Sequence, residues 1–427
     1  MPIHPRQIPS LVYANQQGEI KDFPELDMAG RSGSNYILPD LQDLIPLPEG
    51  SELFVLPGRK PVGFEPDSGE PAMLAENPDE PGKEIQAVAA FMAPAHTAIH
   101  TTAFVKDDDA ETLPLFAYTA IGWLDGRFWV SGFRSDNDIR QEPDGFNPNK
   151  IRTCTQKKLK DLPKNRLVQH LGNCSLTYSC PAAKNYFLDR HEAPLPTSPE
   201  CNARCIGCIS LQPSGCCPST QDRIHFIPTP NEIAEIAVPH LQRVKDGVVS
   251  FGQGCEGEPL LQADTIEKAI RLIRKQISTG TINLNSNASL PEAVARLAEA
   301  GLDSIRVSMN SARPEYHHRY YRPKGFSFTD VRQSITAMKK AGKFVSLNYF
   351  IMPGFTDAPE EFAALCELIE TEKPDFIQLR NLNIDPDWYF ESIEHKISTE
   401  TMGIQGWLAK LKQNFPKLRF GYYNPPL

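Results

Sequence analysis

The sequence predicts an α/β protein in which a parallel, barrel-like array of strands and helices follows a mainly β N-terminal region. Three observations lead there. From about residue 225, short apolar runs alternate with amphipathic segments of helical period. Before residue 150, the apolar runs are short, rich in β-branched or aromatic residues, and bounded by turn residues. The chain has 427 residues, more than one hydrophobic core usually serves, so a barrel-sized unit with a smaller one is the expected division.

In chain order, residues 1–150 read as the β region. Leu53 to Leu56, Phe116 to Trp123 and Phe128 to Phe133 are strand-like, and Asp125-Gly126 between Trp123 and Phe128 is a two-residue hairpin signal. The most apolar stretch, Val88 to Val105, contains His96, His100 and several threonines, which makes it buried strands and not a membrane span. Residues 151–194 read as a cysteine-containing bridge, loop-rich from about residue 167. It opens on a basic run, Lys150 to Arg166, whose bland reading is a solvated helix face and whose functional reading is a docking site for an anionic partner.

Residues 195–427 form the third segment. Thr229-Pro230-Asn231-Glu232 is a capping box with proline at the first helical position. Ile266, Ile270, Ile273 and Ile277 give the next helix one apolar face, and Gly280 closes it. Ser289-Leu290-Pro291-Glu292 reads as a second capping box. Strands are expected at Val248 to Phe251, Ile282 to Ser286, Ile305 to Met309, Phe344 to Ile351, Phe376 to Leu382 and Leu418 to Tyr423. Helices are expected at Thr329 to Ala341, Pro359 to Glu370 and Thr401 to Gln413. Such alternation implies a parallel sheet with right-handed crossovers and working loops at the C-terminal strand ends.

The formal net charge of −9 disfavours a general nucleic-acid or anionic-membrane binder. The opening MPIHPRQIPS has no apolar core after a basic end, so a cytoplasmic, reducing setting is expected. There the ten cysteines are metal ligands or packed thiols before they are disulfides.

CNARCIGC places Cys201, Cys205 and Cys208 at C-x3-C-x2-C. Thiolates suit zinc, copper(I) and iron–sulfur clusters. A structural zinc site is closed by four ligands, so zinc would have to recruit Cys216, Cys217 or a distant residue. A four-iron cubane held by three thiolates leaves one iron open. After the next expected strand comes FGQGCEGEPLL, with Glu256-Gly257-Glu258-Pro259. Ser286-Asn287-Ala288 follows the third strand, SMNSARPEYHHRYYRP the fourth, and Met352-Pro353-Gly354-Phe355-Thr356-Asp357 the fifth.

Together these stretches resemble the radical S-adenosylmethionine (radical SAM) superfamily over roughly residues 195–385. The resemblance implies a partial (β/α)6 barrel and an enzyme. Cys201, Cys205 and Cys208 would ligate a [4Fe–4S] cluster, whose open iron is chelated by S-adenosylmethionine. Reductive cleavage then yields a 5′-deoxyadenosyl radical that abstracts hydrogen from substrate. Glu258 would take the cosubstrate ammonium and Gly257 permit close backbone approach. Asn287, Ser308 and Asn310 would contact ribose and carboxylate, with Arg319 a further carboxylate candidate. The implied partners are a flavodoxin- or ferredoxin-like electron donor and a small-molecule or peptide substrate that the sequence does not name.

Two positions depart from the family pattern: Gly207 stands where an aromatic is usual, and Glu256 where a glycine is. The strand before Cys201 is expected to be very short, because Pro194, Pro196 and Pro199 interrupt it.

Gln378, Arg380, Asn381 and Asn383 are substrate-side candidates at the sixth strand, and His317 and His318 are expected on the barrel rim. Cys154, Cys174, Cys180, Cys216 and Cys217 are candidates for an auxiliary iron–sulfur cluster, with packed thiols as the bland alternative. Cys255 and Cys366 read as packing residues. The rival reading of the whole chain is a non-catalytic zinc or iron–sulfur binding module; a Gly-Glu-Pro turn after a strand has no use in one.

Overall fold

The computed structural model describes residues 7–212, 215, 217, 219–395 and 400–427. They fall into two compact units that do not follow the three consecutive segments expected. One comprises the residues through 137 with 350–363 and 379–416; the other comprises 138–349, 364–378 and 417–427.

The first unit is built on an antiparallel sheet of eleven strands among the described residues. Its central strand Ser10–Ala14 pairs with Ile20–Met28, Gln86–Phe91 and Ile121–Leu124. The hairpin Ile121–Leu124 to Arg127–Arg134 turns on Asp125 at φ 51° and Gly126 at φ 77°. That is the left-handed pair which matches the twist of two antiparallel strands. Trp123 sits opposite Phe128 with ring centroids 4.7 Å apart. Val12, Ala14, Val88, Ala90, Ile121 and Val130 form its core.

A buried ion pair ties residues 379–416 into this unit. Arg59 Nη2 lies 2.8 Å from Asp385 Oδ2, and both side chains are essentially inaccessible. Asp385 also accepts from the backbone N–H of Leu113 and of Asp387. Removing the carboxylate strands a buried guanidinium. Asp385→Ala is therefore expected to destabilise the protein by about 3–5 kcal/mol, read as a fall in the urea midpoint. Asp385→Asn, which keeps acceptor oxygen, should lose less.

The second unit contains a parallel sheet in which spatial order equals chain order. Its strands are β1 (Glu192–Pro194), β2 (Val248–Phe251), β3 (Thr281–Ser286), β4 (Ser304–Met309), β5 (Phe344–Ile351), β6 (Phe376–Asn381) and β7 (Arg419–Gly421). The last residues of β5 and β6 belong to the first unit. Each strand adds beside its predecessor in one direction, so the sheet curls as a half-barrel. β1 has three residues and pairs only with β2, so Pro194 sits at an edge, where a missing N–H breaks no ladder.

The helices are α1 (Pro148–Asp161), α2 (Arg166–Leu176), α3 (Pro181–Phe187), α4 (Pro230–Arg243), α5 (Ala263–Gln276), α6 (Pro291–Ala300), α7 (Pro314–Tyr321), α8 (Phe328–Lys340), α9 (Pro359–Glu372), α10 (Pro386–Ser392) and α11 (Ile404–Asn414). On α5, Ile266, Ile270 and Ile273 are fully buried, each worth about 1.5–3 kcal/mol of apolar burial.

Three expectations need correction. The bridge from residue 167 is not loop-rich: α2 and α3 occupy much of it, started by Asn165 and Pro181, while the basic run before it forms α1, capped by Asn147. A cap asparagine and an N1 proline are local signals outweighed in the sequence by the density of prolines further on. Ser289 does not cap α6; Leu290 holds that position without a side-chain cap, and Ser289 Oγ instead accepts from Asn202 Nδ2 at 2.9 Å. The third correction is α7, which the polar run after β4 had concealed.

The Thr229–Glu232 capping box is present on α4, and Glu232 also receives Arg166 Nε at 2.9 Å and Nη2 at 2.7 Å. The Arg166 hydrogen bonds hold its carboxyl down to about 2, below the usual carboxylate range. A depressed carboxyl stabilises the fold above its unfolded pKa and loses that contribution as pH falls through the folded value. Glu232→Gln should therefore flatten the loss of stability between about pH 4.5 and 2, measured by thermal melts across that window. At neutral pH, losing the cap and this half-exposed pair should cost about 1–2 kcal/mol.

Candidate functional site

The cysteine loop begins directly after β1. Leu195 N–H still donates to Ser250 O on β2 at 2.8 Å. Two further backbone bonds then join the loop to the turn after β2: Gly257 N–H to Ser198 O at 2.7 Å and Glu258 N–H to Glu200 O at 2.8 Å. A Cβ on Gly257 would overlap the carbonyl oxygen of Glu200, so only glycine lets the two segments meet here. Gly252, at φ 78°, is crowded in the same way against the backbone of Asn285.

Glu256, the residue that replaces the usual glycine, is 4% exposed. Its Oε2 accepts from the N–H of Thr197 at 2.7 Å and of Ser198 at 3.0 Å, and its Oε1 from Gln253 N–H at 2.6 Å. Its charge thus has an assignment: the carboxylate staples the segment leading into Cys201 to the Glu256–Pro259 turn. Burial pushes its pKa up to about 7 despite these bonds.

The other end of the loop is tied to α7. Arg204 N–H donates to Tyr321 O at 2.9 Å and Ile206 N–H to Tyr320 O at 3.1 Å. Asn202 bridges outward as well, its Nδ2 to Ser289 Oγ and its Oδ1 from Asn287 Nδ2, each at 2.9 Å. Arg223 Nη2 lies 3.7 Å from Cys208 Sγ and 2.9 Å from Ser210 Oγ. Burial raises the Cys201 thiol to about 11, with the Glu258 carboxylate adding to the shift, and raises Cys205 further, with Cys208 and Cys201 adding.

Glu258 is 3% exposed. It accepts from Ser286 Oγ at 2.6 Å, Asn287 N–H at 2.8 Å and Leu260 N–H at 3.0 Å. Burial nevertheless carries its pKa up to about 7. Asn287 is fully used: Nδ2 on Asn202, and Oδ1 accepting from Ser289 N–H at 3.1 Å. Asn310 is buried, with Nδ2 on Tyr316 O at 3.3 Å. Ser308 is half-buried and paired in register with Asn348. Arg319 lies over the Tyr316 ring at 5.9 Å.

The rim position expected of His317 is not found. It is 1% exposed, stacked on Tyr321 at 4.5 Å and packed against Phe328 at 5.0 Å. Burial lowers its pKa to about 3, so it stays neutral; the aromatic residues after the histidines outweighed their polarity. His318 is exposed.

The parallel sheet has one apolar and one polar buried face, where parallel sheets are usually apolar on both. Ile282, Leu284, Ile305, Val307, Val345 and Leu347 alternate with Asn283, Asn285, Ser304, Arg306, Ser346 and Asn348. Part of the polar set is linked through Asn424, whose Nδ2 donates to Asn285 Oδ1 at 3.3 Å. Ser304 Oγ donates to Asn283 Oδ1, Asn283 Nδ2 to Asn285 Oδ1, Arg306 Nη1 to Gln378 Oε1 and Gln378 Nε2 to Asn424 Oδ1.

Gln378 thus lies in this network. Asn381 instead binds backbone, accepting from Ala98 N–H and donating to His96 O, within the first unit. Arg380 and Asn383 fall in that unit too, as does the 352–357 turn, where Asp357 Oδ1 accepts from Gly354 N–H at 2.7 Å. Asn283, Asn285, Arg306, Asn348 and Asn424 were not singled out from sequence. The alternating asparagines of TINLNS were a readable signal for two of them; nothing marked Asn424.

Residues 195–368 match the family model described as Radical SAM superfamily. This segment belongs to the radical SAM superfamily. The chain is 29% identical over 201 residues to a GTP 3′,8-cyclase of Aquifex aeolicus (strain VF5), covering 45% of this chain and 58% of that protein. It is 27% identical over 135 residues to a probable dual-specificity RNA methyltransferase RlmN of Synechococcus sp. (strain JA-2-3B'a(2-13)), covering 30% and 38%. The chain therefore spans less than two thirds of either relative's length. Among solved structures, methylornithine synthase (PylB) superimposes with a TM-score of 0.38 at 15% identity, covering 65% of this chain and 76% of that one.

Of the five thiols expected to hold an auxiliary cluster, Cys174 and Cys180 pack together, joined by Cys255. Cys154 is half-buried on α1, and Cys217 is buried beyond the cysteine loop. Cys216 lies outside the described residues. Cys366, on α9, is half-buried. Among the described residues, no helix is long and apolar enough to cross a membrane.

Proposed function

We propose that this chain is a radical SAM enzyme acting on a small-molecule or peptide substrate rich in hydrogen-bonding groups. The observation that carries the reading is the backbone joint between the cysteine loop and the Glu256–Pro259 turn, made at Gly257 and Glu258. It brings an all-thiol donor set and a buried carboxylate onto one rigid platform.

The donor set fits a [4Fe–4S] cluster: three soft ligands on one loop, with no fourth between them. Cys201, Cys205 and Cys208 would hold it. When bound, the cluster supplies the electron that splits the sulfonium–C5′ bond of S-adenosylmethionine, and the 5′-deoxyadenosyl radical released takes a hydrogen atom from substrate. Glu258 accepts hydrogen bonds from the cosubstrate's ammonium, oriented for it by Ser286 Oγ and the N–H groups of Asn287 and Leu260. Gly257 keeps the turn close to the loop. Ser308 and Asn310 contribute ribose and carboxylate contacts, while Asn287 positions the loop through Asn202. The polar face of β3 to β6, with Gln378 and Arg306, offers donors and acceptors to substrate. A flavodoxin- or ferredoxin-like protein delivers the electron.

Anaerobic reconstitution with iron and sulfide tests the reading. The expected result is a brown protein with cluster iron that releases 5′-deoxyadenosine from S-adenosylmethionine under dithionite. An iron-loaded chain that leaves the cosubstrate intact would overturn it.

A further inference from the structure

Away from the cysteine loop, a second group of side chains combines the donor types of a metal centre. His170 Nε2 lies 3.3 Å from Cys255 Sγ and 3.6 Å from Cys174 Sγ. All three donor atoms fall within 4.8 Å of one another. His170 and Cys174 stand one turn apart on α2 and share a face; Cys255 comes from the turn that continues into Glu256 and Glu258. Cys174 and Cys255 are 2% and 6% exposed, and Cys180, at the start of α3, packs against both. The His170 ring is set edge-on to Phe226 at 6.4 Å.

We propose that His170, Cys174 and Cys255 bind a single divalent metal ion of zinc's class, with Cys180, which packs against them, turning in as the fourth thiolate. The spacing separates this from an iron–sulfur cube. Metal–sulfur bonds near 2.3 Å and metal–nitrogen bonds near 2.0 Å give a tetrahedron with edges of about 3.5–3.8 Å, close to the 3.3 Å and 3.6 Å that separate His170 Nε2 from the Cys255 and Cys174 sulfurs. A cube spreads its cysteine sulfurs over separate irons and needs wider gaps. Metal entry displaces the thiol protons to solvent, and neutral imidazole donates through Nε2. Closure at four ligands makes the site structural. It ties α2 and α3 to the turn bearing Glu256 and Glu258, so it would hold the cosubstrate platform in place from behind. None of its ligands belongs to the cysteine loop, so its failure and that of the radical SAM reading are separable.

The test uses the full chain with Cys201, Cys205 and Cys208 all replaced by alanine, which removes competing thiols. Purified with zinc, it is expected to retain one zinc per chain by elemental analysis. Adding Cys174→Ser and Cys255→Ser, or His170→Ala, should abolish that retention. Should those variants fail to fold, cobalt(II) titration of the triple-alanine chain decides: thiolate-to-cobalt charge transfer with tetrahedral ligand-field bands, bleached by one equivalent of zinc, supports the site. Zinc retained after loss of its ligands, a cobalt spectrum without thiolate bands, or a thiol count showing a Cys174–Cys255 disulfide would each overturn it.

Discussion

Replacing Cys201, Cys205 and Cys208 together by alanine is expected to reduce 5′-deoxyadenosine formation to the background of free dithionite and cosubstrate. Loss should be complete because it removes all three ligands of the loop, and Cys174, Cys180 and Cys255 form a separate cluster. The fold should survive. The loop is held by backbone bonds to Ser250, Gly257, Glu258, Tyr320 and Tyr321, none of which uses a thiol. The measurement is cosubstrate turnover alongside a thermal melt. Unchanged turnover in a folded triple variant would remove the radical SAM reading altogether.

Glu258→Gln is expected to weaken cosubstrate use by roughly ten- to a hundredfold, the value of one charge-assisted hydrogen bond of about 1.5–3 kcal/mol. The change falls on binding, because the amide retains an acceptor for Asn287 N–H or Ser286 Oγ while losing the charge that faces an ammonium. Iron content after reconstitution should match the parent. Glu258→Ala should do worse, since it leaves the buried N–H groups of Leu260 and Asn287 without partners. Equal cosubstrate affinity in parent and glutamine variant, by equilibrium dialysis with the iron-loaded chains, would remove Glu258 from the cosubstrate site.

Much of this site was legible before any coordinates. Three cysteines within eight positions and a Glu-Gly-Glu-Pro turn are local patterns, and their resemblance to the radical SAM superfamily implies their chemistry. The parallel strands were legible for a related reason: each is a short apolar run bounded by caps and glycines, and local propensity agrees there with the final fold. The bridge was misread because proline density was weighted above the start signals of Asn165 and Pro181. Ser289 was misread as a cap because the motif is satisfied in sequence, while in space its hydroxyl is taken by Asn202. His317 was placed outside because one polar side chain says nothing of the Tyr321, Phe326 and Phe328 rings that close over it.

What residue order alone supplied was the pattern of the cysteine loop and the alternating elements that carry it, since both depend on neighbours a few positions apart. Tertiary structure decided everything that depends on distant partners. Glu256 acquired a role only when its carboxylate met the amides of Thr197 and Ser198, some sixty positions earlier. His170 and Cys255, eighty-five positions apart, became a candidate metal site only when α2 packed behind the turn after β2. Loop closure over such separations is set by the packing of whole elements, and no short window of sequence contains it.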